Sequence, residues 1–287
     1  MKILITGAGG LLGNHAAKQL AARYEVHAVV RSGPVEPIPG IAYHAIDLAE
    51  IGGLAALPKQ IDAVIHLAQS ARFREFPREA LDIFNVNVAS TARLLDYALH
   101  SNARTFILAS SGGVYGAGEA AFKENAAIPQ HGQLGYYLGS KLCAEVLAQN
   151  YASLLNVSVL RFFFMYGKGQ KRSMLIPRLI DNVRNGQPIT LQGRNGIRIN
   201  PIHVSDAVNA LESCLGLFGS HTFNVAGQEV LSMREIAQTI GRAVGREPVF
   251  SIEPTEARHL TANIEAMRQS LVTPRVTFAQ GVCELLD

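Results

Sequence analysis

The run Lys2-Ile3-Leu4-Ile5-Thr6 breaks at once into Gly7-Ala8-Gly9-Gly10-Leu11-Leu12-Gly13, and the residues from Leu12 to about Tyr24 carry the periodicity of an amphipathic helix. A short apolar strand, a glycine-rich turn and a helix admit few architectures, because the helix carries the chain back to start a second strand parallel to the first. Four further apolar runs keep the rhythm: Val26 to Val30, Ala63 to Leu67, Phe106 to Leu108 and Val157 to Leu160. Helix-like stretches such as Ser90 to His100 and Tyr136 to Leu154 lie between them. That alternation predicts βαβ units and an α/β fold with a doubly wound parallel sheet.

Beyond Tyr166 the rhythm becomes irregular. Gly167-Lys168-Gly169-Gln170 reads as a loop, Ile176 to Asn185 as a helix, and Gly186-Gln187-Pro188 and Gly193 to Gly196 as turns. Alternation returns around Ile202 to Cys214 and Phe223 to Ala226, before a helix from about Ser232 to Val244. The expected organisation is a large nucleotide domain, 1–166 plus about 198–226, and a smaller C-terminal substrate lobe, about 167–197 plus 227–287, with substrate in the cleft between them.

The glycine segment has a physical use. Three glycines fall where the backbone must turn sharply and approach a ligand, and the helix that follows offers unpaired N–H groups and a positive dipole end to a pyrophosphate. Gly7, Gly10, Leu11, Leu12 and Gly13 are therefore candidate cofactor contacts, and the fold is expected to be of Rossmann type. In such folds the second strand ends in an acid for the ribose 2′-hydroxyl of NAD or a base for the 2′-phosphate of NADP. Here it ends in Arg31-Ser32, and the nearest carboxylate, Glu36, lies beyond Gly33-Pro34. Arg31 favours NADP over NAD, the plain alternative being a solvated arginine at a strand end. Asp47, followed by Leu48, fits either the adenine amino group or a helix cap.

Composition narrows the partners. A net charge of +3 with no block of basic residues implies neither nucleic acid nor an anionic membrane, and leaves a small anionic ligand open. No apolar run reaches the roughly 18–20 residues needed to cross a bilayer, and the N-terminal run is too short for a signal peptide, so a cytoplasmic location is expected. Cys143, Cys214 and Cys283 lack metal or disulfide spacing and are expected to be reduced, buried thiols. His66 and His203 lie in apolar segments without a second ligand at metal spacing, so core or supporting roles are expected and no metal site.

Tyr137 and Lys141 are four apart in a predicted helix and project from one face. A phenol ionising near pH 10 is a poor base at neutral pH, and a nearby ammonium favours the phenolate. Tyr137 could then exchange a proton with a substrate hydroxyl or carbonyl while hydride moves at the attached carbon. Tyr136 has Ser140 four residues on, so it is not the base. Ser110-Ser111 follows a predicted strand at the carboxyl end, where α/β proteins place functional groups, and Ser111 could hydrogen-bond the reacting oxygen or simply cap a turn.

Several ordered segments resemble the extended short-chain dehydrogenase/reductases, within them the NAD-dependent epimerase/dehydratase group that acts largely on nucleotide sugars. They are Thr6 to Gly13, Asp47-Leu48, Val64-Ile65-His66-Leu67-Ala68, Asn87-Val88-Ala89-Ser90-Thr91, Ser110 to Gly116, Tyr137 to Lys141, and Leu160-Arg161 leading to Tyr166-Gly167. The resemblance implies a catalytic triad of Ser111, Tyr137 and Lys141. It also implies that Lys141 holds the nicotinamide ribose, that Leu67-Ala68 lies along the cofactor, that Asn87 is a further cofactor-binding residue, and that a homodimer forms through the helices around 90–100 and 136–152.

Departures from that pattern narrow the chemistry. Dehydratases of the group carry an Asp-Glu pair after the catalytic serine or threonine, and enzymes that also epimerise next to a ketone carry a cysteine there; this chain has Gly112-Gly113. Phe164 stands where an asparagine is usual, Arg198 is one position early before Ile199-Asn200-Pro201, and Glu253-Pro254-Thr255-Glu256 replaces an arginine-containing turn, leaving Arg258 as the nearest cation. Arg172, Arg198 and Arg258 are candidates for a substrate diphosphate, each with an exposed structural arginine as the alternative. The leading expectation is a nucleotide-sugar epimerase that is not a dehydratase. An NADP-dependent ketoreductase of a 4-keto nucleotide sugar or smaller carbonyl compound is second, and a non-enzymatic NADP sensor third.

Overall fold

A computed structural model describes residues 1–33, 37–129 and 133–286. Seven strands form the central sheet: β1 (Lys2–Thr6), β2 (Glu25–Val30), β3 (Ile41–Ala45), β4 (Ala63–His66), β5 (Thr105–Ser111), β6 (Asn156–Phe162) and β7 (Ser220–Val225). Their spatial order is β3-β2-β1-β4-β5-β6-β7, and every pairing is parallel. The central strands are buried along almost their whole length, as parallel strands covered on both faces must be, which is why they read as continuous apolar runs. The edge strand β3, Ile41-Ala42-Tyr43-His44-Ala45, buries none of its residues fully and has no such run.

Helices cover both faces. On one side α1 (Leu11–Leu20) and α6 (Val204–Ser213) pack with Ile3, Ile5, Ile65, Ile107 and Leu160 into one apolar cluster. On the other, α3 (Ser90–His100) and α4 (Gly135–Asn150) pack against Leu4, Val64, Phe106, Val157 and Val159. A short α2 (Ala80–Phe84) leads through one π-helical turn, Asn85–Ala89, into α3. Strand order reverses between β1 and β4, so the carboxyl ends of these two strands open the crevice where sheets of this kind bind ligands.

A third cluster lies beyond the sheet, built by α5 (Leu175–Asn185), α7 (Met233–Val244) and α9 (Phe278–Cys283) around Tyr166, Ile180, Ile236, Ile240 and Phe278. Ser232 and Glu235 form a capping box at the start of α7, and Gly245 closes it in the left-handed region at φ 70°. The C-terminal segment returns toward the sheet. Asn200 donates to the carbonyls of Gly227 and Ala262 and accepts the Ala262 N–H, and Met267 of α8 (Glu265–Ser270) joins the first cluster.

One expectation about the cysteines is corrected. Cys214 is buried, and burial pushes its thiol up to about 12, whereas Cys143 and Cys283 are exposed. On α4 the face that meets the sheet carries Lys141, Ala144, Glu145 and Ala148, which turns Cys143 outward. No helix among the described residues is long and apolar enough to cross a membrane.

Candidate active site

The glycine loop is built by close backbone contact. Gly7 has φ +71°, and a Cβ there would lie 2.7 Å from the Ala68 nitrogen and 2.8 Å from the Leu67 carbonyl carbon. A Cβ on Gly13 would lie 2.2 Å from the Gly7 oxygen. The turn is closed by Gly10 N–H donating to Gly7 O at 2.9 Å, and Ala8 N–H ties it to Val29 O of β2 at 3.2 Å. Gly10 caps α1 without a side-chain hydrogen bond, and the first turn carries no acid. The first N–H groups of α1 thus face the loop with no carboxylate competing for them, which suits a phosphate anion. Leu12 and Gly13 are buried, and Leu11 is partly covered at the edge of the same cluster.

Arg31 is exposed at the end of β2, two residues past the carbonyl that anchors the loop. Glu36 lies outside the described residues. Asp47 Oδ1 accepts the Ala49 N–H at 2.9 Å, the local-turn arrangement rather than a free carboxylate, and Leu48 is buried in the second cluster.

His66, at the end of β4, links this loop to α3. Thr91 donates its hydroxyl to Asn87 O, so the contact between His66 Nε2 and Thr91 Oγ1 at 3.1 Å needs the proton on Nε2. Nδ1 is then the acceptor for the Thr6 hydroxyl at 2.7 Å, and Thr6 Oγ1 in turn accepts the Ala68 N–H at 3.3 Å. Burial, reinforced by the charge of Lys141, pulls His66 down to about 3. The ring is a neutral strut that holds Ala68 against Gly7.

Asn87 is buried in the π-helical turn with both ends of its amide engaged: Oδ1 accepts the Ser70 N–H and Nδ2 donates to Ser140 Oγ, each at 2.9 Å. It bolts the segment after β4 to α4.

On α4, Lys141 is buried and its Nζ donates to Ala109 O at 3.0 Å, which sets the helix against the end of β5. Burial pulls Lys141 down to about 8, with Glu145 opposing. Leu138 lies against Gly113, whose N–H donates to Ser111 Oγ at 3.2 Å. Ser111 and Lys141 are thereby brought to one end of β5, and Tyr137, one turn before Lys141 on α4, reaches the segment after β4. Ser111 caps the 3₁₀ turn Gly112–Tyr115, so its turn-capping reading is realised.

The ammonium does not govern the phenol in this structure. Burial pushes Tyr137 up to about 12, with Arg74 opposing, while Lys141 Nζ lies 6.0 Å from the ring centroid and donates to Ala109 O. The Tyr137 hydroxyl instead donates to Gln69 Oε1 at 3.0 Å, and the Phe73 ring packs 4.9 Å from the Tyr137 ring. Arg74 lies over Phe73, its guanidinium carbon 5.0 Å from the ring centroid. Sequence reasoning missed Gln69, Phe73 and Arg74, although Gln69 is the residue directly after the Leu67-Ala68 segment it singled out.

The remaining candidates are dispersed. Phe164, partly buried, holds φ +40°, a region bulky side chains rarely adopt, in the turn that leaves β6. Arg172 pairs with Asp181 of α5, and Arg258 donates to Ala117 O at 2.9 Å near the loop after β5. Arg198 is exposed beside Ile199. Among the described residues no group of three or more His, Cys, Asp or Glu side chains could hold a metal ion.

The profile of the NAD dependent epimerase/dehydratase family matches residues 3–226, the whole sheet together with the glycine loop, Ser111, Tyr137 and Lys141. The chain belongs to this family. It is 26% identical over 268 residues to an uncharacterised UDP-glucose epimerase of Bacillus subtilis, covering 86% of this chain and 83% of that one. It is 25% identical over 319 residues to a dTDP-glucose 4,6-dehydratase of Streptomyces antibioticus, covering 100% and 92%. Among solved structures it is similar to MoeE5 in complex with UDP-glucuronic acid and NAD, at a TM-score of 0.85 and 28% identity over 100% of this chain and 98% of that one. Membership makes the chain an NAD(P)-dependent enzyme, and the backbone contacts at Gly7, Gly13 and Ala68 leave no room for side chains between the glycine turn and its neighbours.

Proposed function

We propose that the chain is a nucleotide-sugar epimerase in which Ser111, Tyr137 and Lys141 act at one hydroxyl-bearing carbon. The observation that carries this reading is the placement of two neighbouring side chains of α4 across the ends of two central strands: the Tyr137 hydroxyl meets Gln69 just past β4, beside the Gly7 cradle, and the Lys141 ammonium meets Ala109 of β5. A bound nicotinamide would supply reversible hydride acceptance there. Gly7, Gly10, Leu11, Leu12 and Gly13 would hold its pyrophosphate through backbone N–H groups, with Leu67 and Ala68 as the wall. Tyr137 would exchange a proton with the substrate oxygen. A phenol held protonated can donate directly to a carbonyl, and the return transfer calls for the Lys141 ammonium to turn from Ala109 O toward the phenol. Ser111 would donate its hydroxyl hydrogen to the same substrate oxygen while keeping the Gly113 N–H as its cap.

The relatives support a nucleotide sugar as substrate, bound between 1–166 plus about 198–226 and the lobe of about 167–197 plus 227–287. Of the candidate arginines, Arg172 is already paired with Asp181, Arg258 is held at Ala117 O in the loop after β5, and Arg198 is exposed. Elimination of water is not expected. A dehydratase needs a side chain at position 112, and a Cβ there would lie 2.3 Å from the Phe163 ring.

An NADP-dependent ketoreductase is the second reading, favoured by Arg31 at the end of β2. The deciding experiment has two parts: identification of the nucleotide released on denaturation, and incubation with UDP-hexoses and UDP-hexuronates followed by anomeric proton NMR. An epimerase yields the epimer with NAD retained and none consumed. Stoichiometric NADPH consumption with a keto substrate, and no epimer, would sink the first reading. Tyr137→Phe should abolish turnover in either case, with cofactor binding nearly intact.

A further inference from the structure

Gln69 stands where the phosphate loop and α4 meet, immediately after the Ala68 nitrogen that abuts Gly7. In this structure the hydrogen-bond partner of the Tyr137 hydroxyl is the Gln69 amide, at 3.0 Å, and not the lysine four residues along the helix. Among the described residues the groups that face this phenol are few. Phe73 covers one side of its ring, Arg74 contributes a positive charge from the same segment, and Lys141 contributes another from α4.

A carboxamide differs from every other neutral side chain in carrying an acceptor and a donor on one planar group. With Oε1 toward Tyr137 it accepts the phenol O–H. Turned over, it offers Nε2–H to a phenolate, and a hydrogen bond to a charged oxygen is roughly twice as strong as one between neutral groups. Gln69 is exposed, so the reversal meets little packing resistance. We propose that Gln69 is a positioning residue for Tyr137, holding the phenol by its carbonyl oxygen and the phenolate by its amide nitrogen as the proton leaves and returns. The proposal rests on the assignment of Tyr137 as the proton-transfer residue.

The test places a trifluorotyrosine, whose phenol ionises near neutral pH, at position 137 and follows its fluorine resonance against pH. Three backgrounds are compared: Gln69, Gln69→Ala and Gln69→Glu. Loss of the N–H donor should raise the phenol midpoint in Gln69→Ala by about one pH unit, tenfold in the ionisation constant. Gln69→Glu offers only acceptors and a negative charge and should raise it further. The pH profile of kcat for the Tyr137 enzyme should show its rising limb displaced in the same order, with KM much less affected. A structural role alone would lower thermal stability and leave the fluorine midpoint of Gln69→Ala in place, and an unmoved midpoint in Gln69→Ala overturns the proposal whatever the added charge does in Gln69→Glu. Because the fluorine titration needs no turnover, it is separable from the catalytic reading. A displaced midpoint together with full activity in Tyr137→Phe would leave Gln69 as a partner of the phenol and refute the role of Tyr137 itself.

Discussion

Glu145 of α4 and Arg161 of β6 form an ion pair at 2.6 Å with only 3% and 6% of their side-chain surfaces exposed. The pair is fully subscribed: Ser110 donates its hydroxyl to Glu145, while Arg161 donates to the Tyr115 hydroxyl oxygen at 2.7 Å and to Glu124 O at 3.1 Å. Tyr115 passes its own hydrogen to Asn224 of β7 at 2.8 Å. This chain of bonds fastens β5, β6 and β7 directly behind Ser111, one turn of helix past Lys141. Glu145→Ala would leave a buried guanidinium without its counter-charge, and removal of one partner from such a pair costs about 3–5 kcal/mol. Urea unfolding should register a loss of that order, and a change well under about 1 kcal/mol would mean that water reaches Arg161.

His66 predicts an acid-sensitive fold. Its folded pKa is pulled from 6.5 down to about 3 by burial and by Lys141, so between those values the unfolded chain binds a proton that the folded chain does not. Stability from this group is therefore complete above about pH 6.5 and is lost as pH falls toward 3, on the order of 5 kcal/mol in all. The network gives the same answer: a proton on Nδ1 would face Thr6 Oγ1, which already accepts from Ala68 N–H, and would strand the threonine hydrogen. Denaturant midpoints measured across that range should fall steeply for the parent chain and much less for His66→Asn.

Gly13→Ala tests the cradle. Its new Cβ would stand 2.2 Å from the Gly7 oxygen, a backbone atom that cannot swing aside, so the loop must move away from α1. Forced overpacking of this kind costs about 1–3 kcal/mol, and if the cost falls on the nucleotide-binding geometry the dissociation constant of NAD(H) rises roughly five- to 150-fold. Isothermal titration with both NADH and NADPH would measure this, and unchanged affinity would detach the loop from cofactor binding.

Much of the sheet was legible because its inner strands are buried on both faces and therefore spell uninterrupted apolar runs, as Ile3-Leu4-Ile5 and Ala63 to Leu67 do. The edge strand Ile41–Ala45 lacks that signal because one side of it meets solvent. Within the site, spacing placed Tyr137 and Lys141 on one face of a helix, yet it could not say where the ammonium points. That depends on Ala109 O, a carbonyl from a strand 32 residues earlier. The outward turn of Cys143 escaped for a related reason. Which face of α4 is inner is decided by the buried Lys141 and Glu145, charged residues that a hydrophobic pattern counts as surface. Gln69, Phe73 and Arg74 sit in a stretch with no periodicity at all, and only the fold brings them to Tyr137.

The space beside Gly112 supplies a last prediction, about which reactions this scaffold can acquire. A Cβ at position 112 would lie 2.3 to 2.5 Å from three atoms of the Phe163 ring, which is buried among Val114, Tyr115 and Ala262. Gly112→Ala alone should therefore destabilise the chain by about 1–3 kcal/mol, as small-to-large changes in packed interiors do. Phe163→Leu alone should cost a similar amount through the cavity it leaves. The double variant, with the new methyl entering the vacated space, should be more stable than the sum of the two changes predicts, a coupling that thermal and urea unfolding of all four chains would resolve. Strict additivity would show that the ring is not the obstacle, and would remove the steric argument against an acidic residue at this position. If the coupling appears, Gly112→Asp in the Phe163→Leu background becomes the rational route to test whether dehydratase chemistry can be installed next to Ser111.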